Sequence, residues 1–306
     1  MTEAQETQLL PEAVRRRLDP LMLVASKMRS GAMKGERRSV KRGTSIEFAD
    51  YRNYSPGDDL RKLDWNVYAR LERPYIKLLE DEEDLAVHLL LDVSGSMDWP
   101  RGDEEGGDRA HHKLLYAQRL CAALAYMALS TGDRLLISTL AEGTPQLYGP
   151  ARGRGRSVAM LRYLHQLRSI GTTDLNKTLA NFALRERRAG LVILMSDMFS
   201  PGGYLEGLNR LLAKGHEVVL VHILSPDEMT PPLGGDLRLV DVETDRPQEV
   251  TIDATMRAIY EQRLRAWLDE LRDTCARRGV HYVLAQTDTP FESVILYDLR
   301  RLGLVK

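Results

Sequence analysis

Leu85 to Met97 reads LAVHLLLDVSGSM, and this stretch decides the fold. Leu85 to Leu91 is an apolar run interrupted only by His88, and it ends in Asp92-Val93-Ser94-Gly95-Ser96. A run of this length, bounded by small polar residues, suits a strand buried on both faces of a parallel sheet. Open α/β sheets bind their ligands beyond the carboxyl ends of such strands. At that end the chain sets a carboxylate and two hydroxyls at i, i+2 and i+4, with Gly95 between the hydroxyls. These are hard oxygen donors on a tight loop. Mg2+ takes such donors in near-octahedral geometry and keeps several waters.

Two further stretches carry the same chemistry. Gly171-Thr172-Thr173-Asp174 follows one amphipathic helical pattern and opens another, with Asp174 placed to cap the second. Ser196-Asp197 follows a second buried-strand run, Leu191 to Met195. Three oxygen-bearing loops, two of them directly after apolar strands, can converge on one edge of a parallel sheet. In this combination the sequence resembles the von Willebrand factor A domain with its metal-ion-dependent adhesion site. The resemblance maps Asp92, Ser94 and Ser96 onto the first loop, Thr173 onto the second and Asp197 onto the third. It implies a Mg2+ (or Mn2+) ion held mostly by hydroxyls and bridging waters, with one position open. In that family a partner's Glu or Asp carboxylate fills the open position.

Upstream, residues 44–84 concentrate aromatics: Phe48, Tyr51, Tyr54, Trp65, Tyr68 and Tyr75. Ser55-Pro56-Gly57-Asp58-Asp59 is a turn signal, and arginines alternate with acids on either side. A small module of strands and turns is expected. The wording EFADYRNYSPGDDLRKLDWNVYARLERPYIKLLEDEEDL resembles the signature of the family of the domain of unknown function number fifty-eight, whose members carry it directly before a von Willebrand A-like domain. The resemblance covers roughly residues 25 to 300. It implies work beside a MoxR-type AAA+ ATPase, since many members are encoded next to one. Many members also carry two N-terminal transmembrane helices. This sequence shows none, and a soluble form is expected.

Composition sets the outer bounds. A chain of 306 residues with 43% hydrophobic and 28% charged residues is ordinary for a globular protein of one large or two modest domains. Its net charge of −1 gives no overall pull toward nucleic acid or anionic membrane. No apolar run reaches the roughly 18 residues that span a bilayer, and the N-terminus has no signal-peptide pattern, so a cytoplasmic location is expected. Cys121 and Cys275 lie in helical patterns far apart in sequence and read as reduced and buried. Residues 27–43 are basic, and Lys34, Arg37, Arg38, Lys41 and Arg42 are the candidate partner-binding residues of that arm. Three segments follow: a helical leader at 1–26, a basic and aromatic module at 27–84, and a von Willebrand A-like domain at 85–306.

The rest of the larger domain alternates helix and strand. Lys113 to Ser130 carries a helical apolar stripe stopped by Gly132, and Asp133 to Leu140 is a strand. Tyr148 to Arg156, with three glycines and three arginines, reads as a solvated turn, because the spacing matches no Walker A loop. Val158 to Ile170 and Asp174 to Arg188 read as helices, Tyr204 to Ala213 as another, and Glu217 to Leu224 as a strand in which His222 is a core histidine. Leu237 to Ile252 alternates as a hairpin, Ala254 to Arg278 is a long helix, Val280 to Ala285 the last strand, and Phe291 to Leu302 a closing helix. His111 and His112 read as exposed.

The fold class expected is therefore α/β: a von Willebrand A-like, Rossmann-type, mostly parallel sheet flanked by helices and preceded by a small β-rich module. The function expected is that of a non-enzymatic protein-binding module. An alternative is a Mg2+-dependent phosphohydrolase. Such enzymes commonly place a second Asp two residues after the first as general acid, and here that position is Ser94, which cannot do that proton transfer near pH 7. Neither serine sits in a G-x-S-x-G elbow. A second alternative, a nucleic-acid adaptor working through residues 27–43, is disfavoured by the scarcity of interleaved aromatics.

Overall fold

The structure, a computed structural model, describes residues 9–25, 48–54, 63, 65–71, 73–79, 85–100, 111–232, 235–240 and 247–306. The chain divides into two compact units, one of residues 29–84 and one of residues 1–28 together with 85–306. In the smaller unit β1 (Phe48–Asn53) pairs antiparallel with β2 (Tyr75–Leu79), with an irregularity between Phe48 and Asp50. Helix α2 (Trp65–Leu71) lies between them in sequence, and the rings of Trp65 and Tyr68 meet edge to face at 6.2 Å.

The larger unit is built on a six-stranded sheet in the order β10-β7-β6-β3-β4-β5. Its strands are β3 (Ala86–Asp92), β4 (Arg134–Leu140), β5 (Leu147–Ala151), β6 (Leu191–Ser196), β7 (Glu217–Leu224) and β10 (His281–Gln286). All pair in parallel except β5, which closes one edge antiparallel to β4. This is the expected Rossmann-type α/β architecture. Strand β3 is buried along its whole length, as a continuous apolar run in a parallel sheet must be. Strand β5 replaces part of the solvated turn read at 148–156. Gly149 and Pro150 disguise it in the sequence, and Pro is tolerated because β5 is an edge.

Successive side chains of β3 point to opposite faces and enter two separate cores. Val87, Leu89 and Leu91 pack with α3 (Lys113–Thr131) and α4 (Ser157–Gln166), while Leu90 packs with α5 (Leu175–Arg185), α6 (Leu205–Ala213) and the long helix α8 (Ala254–Arg278). Helix α3 is buried almost all round, which suits a helix covered by the sheet on one side and by other helices on the rest. Between α5 and α6 the backbones come close. A Cβ on Gly207 would lie 2.7 Å from Cβ of Leu179, so a larger residue there would force these helices apart. The antiparallel pair β8 (Gly235–Val240) and β9 (Pro247–Ile252) confirms the hairpin, whose turn lies outside the described residues. A one-turn helix, α7 (Pro226–Met229), follows β7, and α9 opens at Phe291–Ser293 and continues through a π-helical stretch to Leu299.

The sequence set residues 1–26 apart as a leader. Residues 9–25 instead belong to the larger core. Helix α1 (Glu12–Leu18) buries Val14 and Leu18, and Leu9, Leu10, Leu21 and Leu23 join them. Past the helix, the backbone at Met22 exchanges hydrogen bonds with Lys306 at 2.9 and 3.0 Å, and Leu23 pairs with Val305. Burying this apolar stripe is worth more than leaving it in water. Asp19 accepts a hydrogen bond from Tyr126 of α3 at 2.8 Å, and Arg154 pairs with both.

His88 gives the fold a pH dependence. It is fully buried in β3, against the rings of Phe182 and His216, with Nε2 3.2 Å from the Arg188 carbonyl. Burial first, and His216 second, lower its pKa to about 4, while Glu186 pulls the other way. A pKa lowered by folding means stability that is present above the unfolded value near 6.5 and lost as pH falls toward 4. From His88 alone the loss at pH 5 should be about 2 kcal/mol. Urea unfolding at pH 7 and pH 5 should therefore show a stability difference that shrinks by about that amount in His88→Phe. An unchanged difference would contradict the neutral buried imidazole.

Candidate metal centre

Strand β4 lies on one side of β3 and β6 on the other, so the order of strands reverses at β3 and a crevice opens beyond its carboxyl end. Asp92 is the last residue of β3 and stands at this point, almost completely buried. Its Oδ1 accepts from the Ser94 amide at 2.9 Å and from the Thr173 hydroxyl at 3.1 Å, and its Oδ2 accepts from the Ser196 hydroxyl at 2.6 Å. Ser94 and Ser96 hydroxyls lie 3.0 Å apart. Backbone bonds lock the first and second loops together: Gly95 donates to the Gly171 carbonyl at 2.8 Å and Ile170 to the Val93 carbonyl at 2.7 Å. Asp174 caps α5 through the Lys177 amide at 2.9 Å, so Thr173 is fixed from both sides. Gly171, at φ +59°, takes the left-handed turn that brings Thr173 inward.

This donor set fits a small hard cation. An octahedral Mg2+ about 2.1 Å from its oxygens holds neighbouring ligands about 3.0 Å apart. The Ser94–Ser96 and Thr173–Asp92 oxygens, now hydrogen-bonded at 3.0 and 3.1 Å, are close enough to share such an ion. Burial, then the nearby Asp197 carboxylate, raises the Asp92 pKa to about 6, against the hydrogen bonds from Ser196 and Ser94 that lower it. A buried carboxylate held at such cost is a mark of a functional site.

The third loop is arranged differently. Asp197 is buried, but its Oδ2 accepts from Lys113 Nζ at 2.7 Å and its Oδ1 from the Phe199 amide at 3.1 Å. Lys113 is fully buried, and its ammonium also reaches Glu228 Oε1 at 2.5 Å and lies 5.1 Å from the centre of the Phe199 ring. Glu228 is itself held by a capping box with Ser225 at the start of α7. His222 Nε2 lies 3.0 Å from the Asp197 carbonyl and Nδ1 2.9 Å from the Tyr282 hydroxyl, the core role the sequence suggested. Met198 sits in left-handed backbone at φ +61°, strain of a kind that collects at functional turns.

Of the residues predicted to hold the ion, Asp92, Ser94, Ser96 and Thr173 come together, and Asp197 arrives beside them already paired with Lys113. Lys34, Arg37, Arg38, Lys41 and Arg42 lie outside the described residues. His112 is a correction: it is buried rather than exposed. It accepts from the Leu115 amide at 3.3 Å to cap α3, and its Nε2 lies 3.0 Å from Asp98 Oδ1. Sequence reading placed Ser196 in the third loop without a role of its own, and missed Lys113 and Glu228. The one local signal was Lys113 itself, a cation at the first turn of a helix, where the dipole disfavours it. The arginine-rich Tyr148–Arg156 stretch lines a cavity of about 640 Å³ at the opposite edge of the sheet, with Arg134 and Arg188; Arg134 pairs there with Glu186 at 3.5 Å.

Fold and site together define an α/β protein with a buried carboxylate and a hydroxyl cluster at its switch point. The chain belongs to the family described as Protein of unknown function DUF58, whose model matches residues 50–270. Uncharacterized proteins of Mycobacterium bovis and Mycobacterium tuberculosis are 28% identical to it over 275 residues, which is 89% of this chain and 84% of theirs. An uncharacterized protein of Mycobacterium avium is 30% identical over 131 residues, 40% of this chain and 77% of that one. Among solved structures, the conserved hypothetical protein BatB from Bacteroides thetaiotaomicron superposes with a TM-score of 0.41 at 15% identity, covering 72% of this chain and 98% of that one. The Deinococcus radiodurans RO (RSR) protein gives 0.31 at 19% identity, covering 58% and 34%. No helix among the described residues is long and apolar enough to cross a membrane.

Proposed function

We propose that this chain is a non-enzymatic, von Willebrand A-like binding module that takes a carboxylate from a protein partner through a Mg2+ or Mn2+ ion on Asp92, Ser94, Ser96 and Thr173. The observation that carries this reading is the gathering of one buried carboxylate and three hydroxyls at the strand switch point. The ion would supply an electrophilic position for the partner's Glu or Asp. The chain's own residues pre-arrange the loops and exclude water. Both Asp92 oxygens are engaged in hydrogen bonds, which favours a positioning role over that of a nucleophile. Each site loop or its flank also carries a large side chain open to solvent: Trp99, Ile170 and Phe199. A protein surface with an acidic residue among apolar ones would suit that rim. The partner class proposed is a MoxR-type AAA+ ATPase or its client, in keeping with the family's signature in residues 47–85.

Calorimetric titration of Mn2+ and Mg2+ into metal-stripped protein should give one site that Asp92→Ala removes while the fold persists. Capture of the purified ATPase should require the ion and fail in EDTA. Capture that survives EDTA would overturn this reading.

A further inference from the structure

The buried triad of Lys113, Asp197 and Glu228 has no place in the metal reading taken alone. A lysine with no exposed surface, at the dipole-disfavoured end of α3, is retained only because two carboxylates 2.7 and 2.5 Å away compensate it. Its ammonium takes one oxygen of Asp197 and the Phe199 amide takes the other, so both are claimed within the chain. The lysine also ties three parts of the chain at the sheet's carboxyl edge: the start of α3, the end of β6, and α7 beyond β7.

We propose that Lys113 is a resident cation of the centre, which holds the third loop in place without a divalent ion and, by claiming Asp197, weakens the site's affinity for that ion. This rests on the metal reading above and adds to it. The ion is left with Asp92 as its one carboxylate without a cationic partner, held by neutral donors alone, so a carboxylate from the partner supplies what Asp197 does not. The partner and the ion then bind as a unit rather than in succession.

The test is Mn2+ calorimetry on the stripped full-length chain. In Lys113→Met/Glu228→Gln one positive and one negative charge are removed together, so the net charge of the centre is unchanged and only the claim on Asp197 is lifted. This variant should bind Mn2+ at least tenfold more tightly than the wild type. Glu228→Gln alone leaves the ammonium to Asp197 and adds a net positive charge, and it should bind at least threefold more weakly. That variant keeps the Lys113–Asp197 pair and so provides a folded test even if the double variant does not fold. Affinities that stay level, or that weaken in the double variant, overturn the role of Lys113 while the metal site stands. Absence of Mn2+ binding in the wild type and in both variants overturns the metal reading and the lysine's role with it. Adding Asp92→Ala to the double variant should abolish the gain; a gain that persists would place the ion elsewhere and overturn the proposal.

Discussion

Replacing Lys113 by methionine should lower stability at pH 7 by about 3–5 kcal/mol, or roughly 10 °C in Tm. Methionine matches the lysine stem in length, so the loss is not that of a cavity. It comes from leaving the buried Asp197 and the largely buried Glu228 with no cation between them. Thermal unfolding followed by circular dichroism measures it directly. Glu228→Gln introduced on top should recover part of the loss, because only one carboxylate then lacks a partner, and the two changes should be strongly non-additive. A single-variant loss below about 1 kcal/mol would mean that the triad relaxes easily and does not hold the third loop.

Asp92→Asn should act in the opposite direction on stability and abolish metal binding. The pKa of Asp92 is raised from 3.8 to about 6 by folding. A raised carboxylate pKa contributes stability below the unfolded value, and that contribution is lost as pH rises through the folded one. At pH 7 the ionised form therefore burdens the fold by up to about 3 kcal/mol. Asparagine keeps an acceptor for the Ser94 amide and Thr173, and its amide can donate to Ser196, whose oxygen already accepts from the Met198 amide at 2.9 Å. The apo protein should gain about 1–3 kcal/mol at pH 7 and show little gain at pH 4, as read by urea unfolding. Mn2+ binding should fall at least a hundredfold. Such exchange of stability for binding marks a residue kept for its chemistry. An apo protein that loses stability at pH 7 would show instead that Asp92 is a structural carboxylate.

How much of this was legible in the sequence depends on distance along the chain. The parallel strands announced themselves because a strand covered on both faces must be apolar at every position, as Ala86–Asp92 and Leu191–Ser196 are. Asp92, Ser94 and Ser96 were legible because their geometry is set within five residues. Lys113 was not, since its partners lie 84 and 115 residues away and nothing near it in sequence explains a buried ammonium. Strand β5 was hidden by Gly149 and Pro150, which an edge tolerates but which locally signal a turn. His112 read as polar and therefore exposed, yet a helix start needs an acceptor, and the imidazole serves as one. The first residues described looked like a loose leader because α1 is too short to be stable on its own, and its partners lie in α3 and at the far end of the chain.

That last arrangement has a consequence for the order of assembly. The backbone of Met22–Val24 is bonded to Leu304–Lys306, 280 to 284 residues further along the chain. Contacts of such separation close late, after the more local ones have formed. The apolar stripe of Leu10, Val14 and Leu18 can dock on α3 before that pairing closes, so the pairing is a second fastening of the same segment. The pairing thus works like a clasp on the larger unit: local opening at Leu304–Lys306 would release Met22–Val24 before it disturbs the sheet.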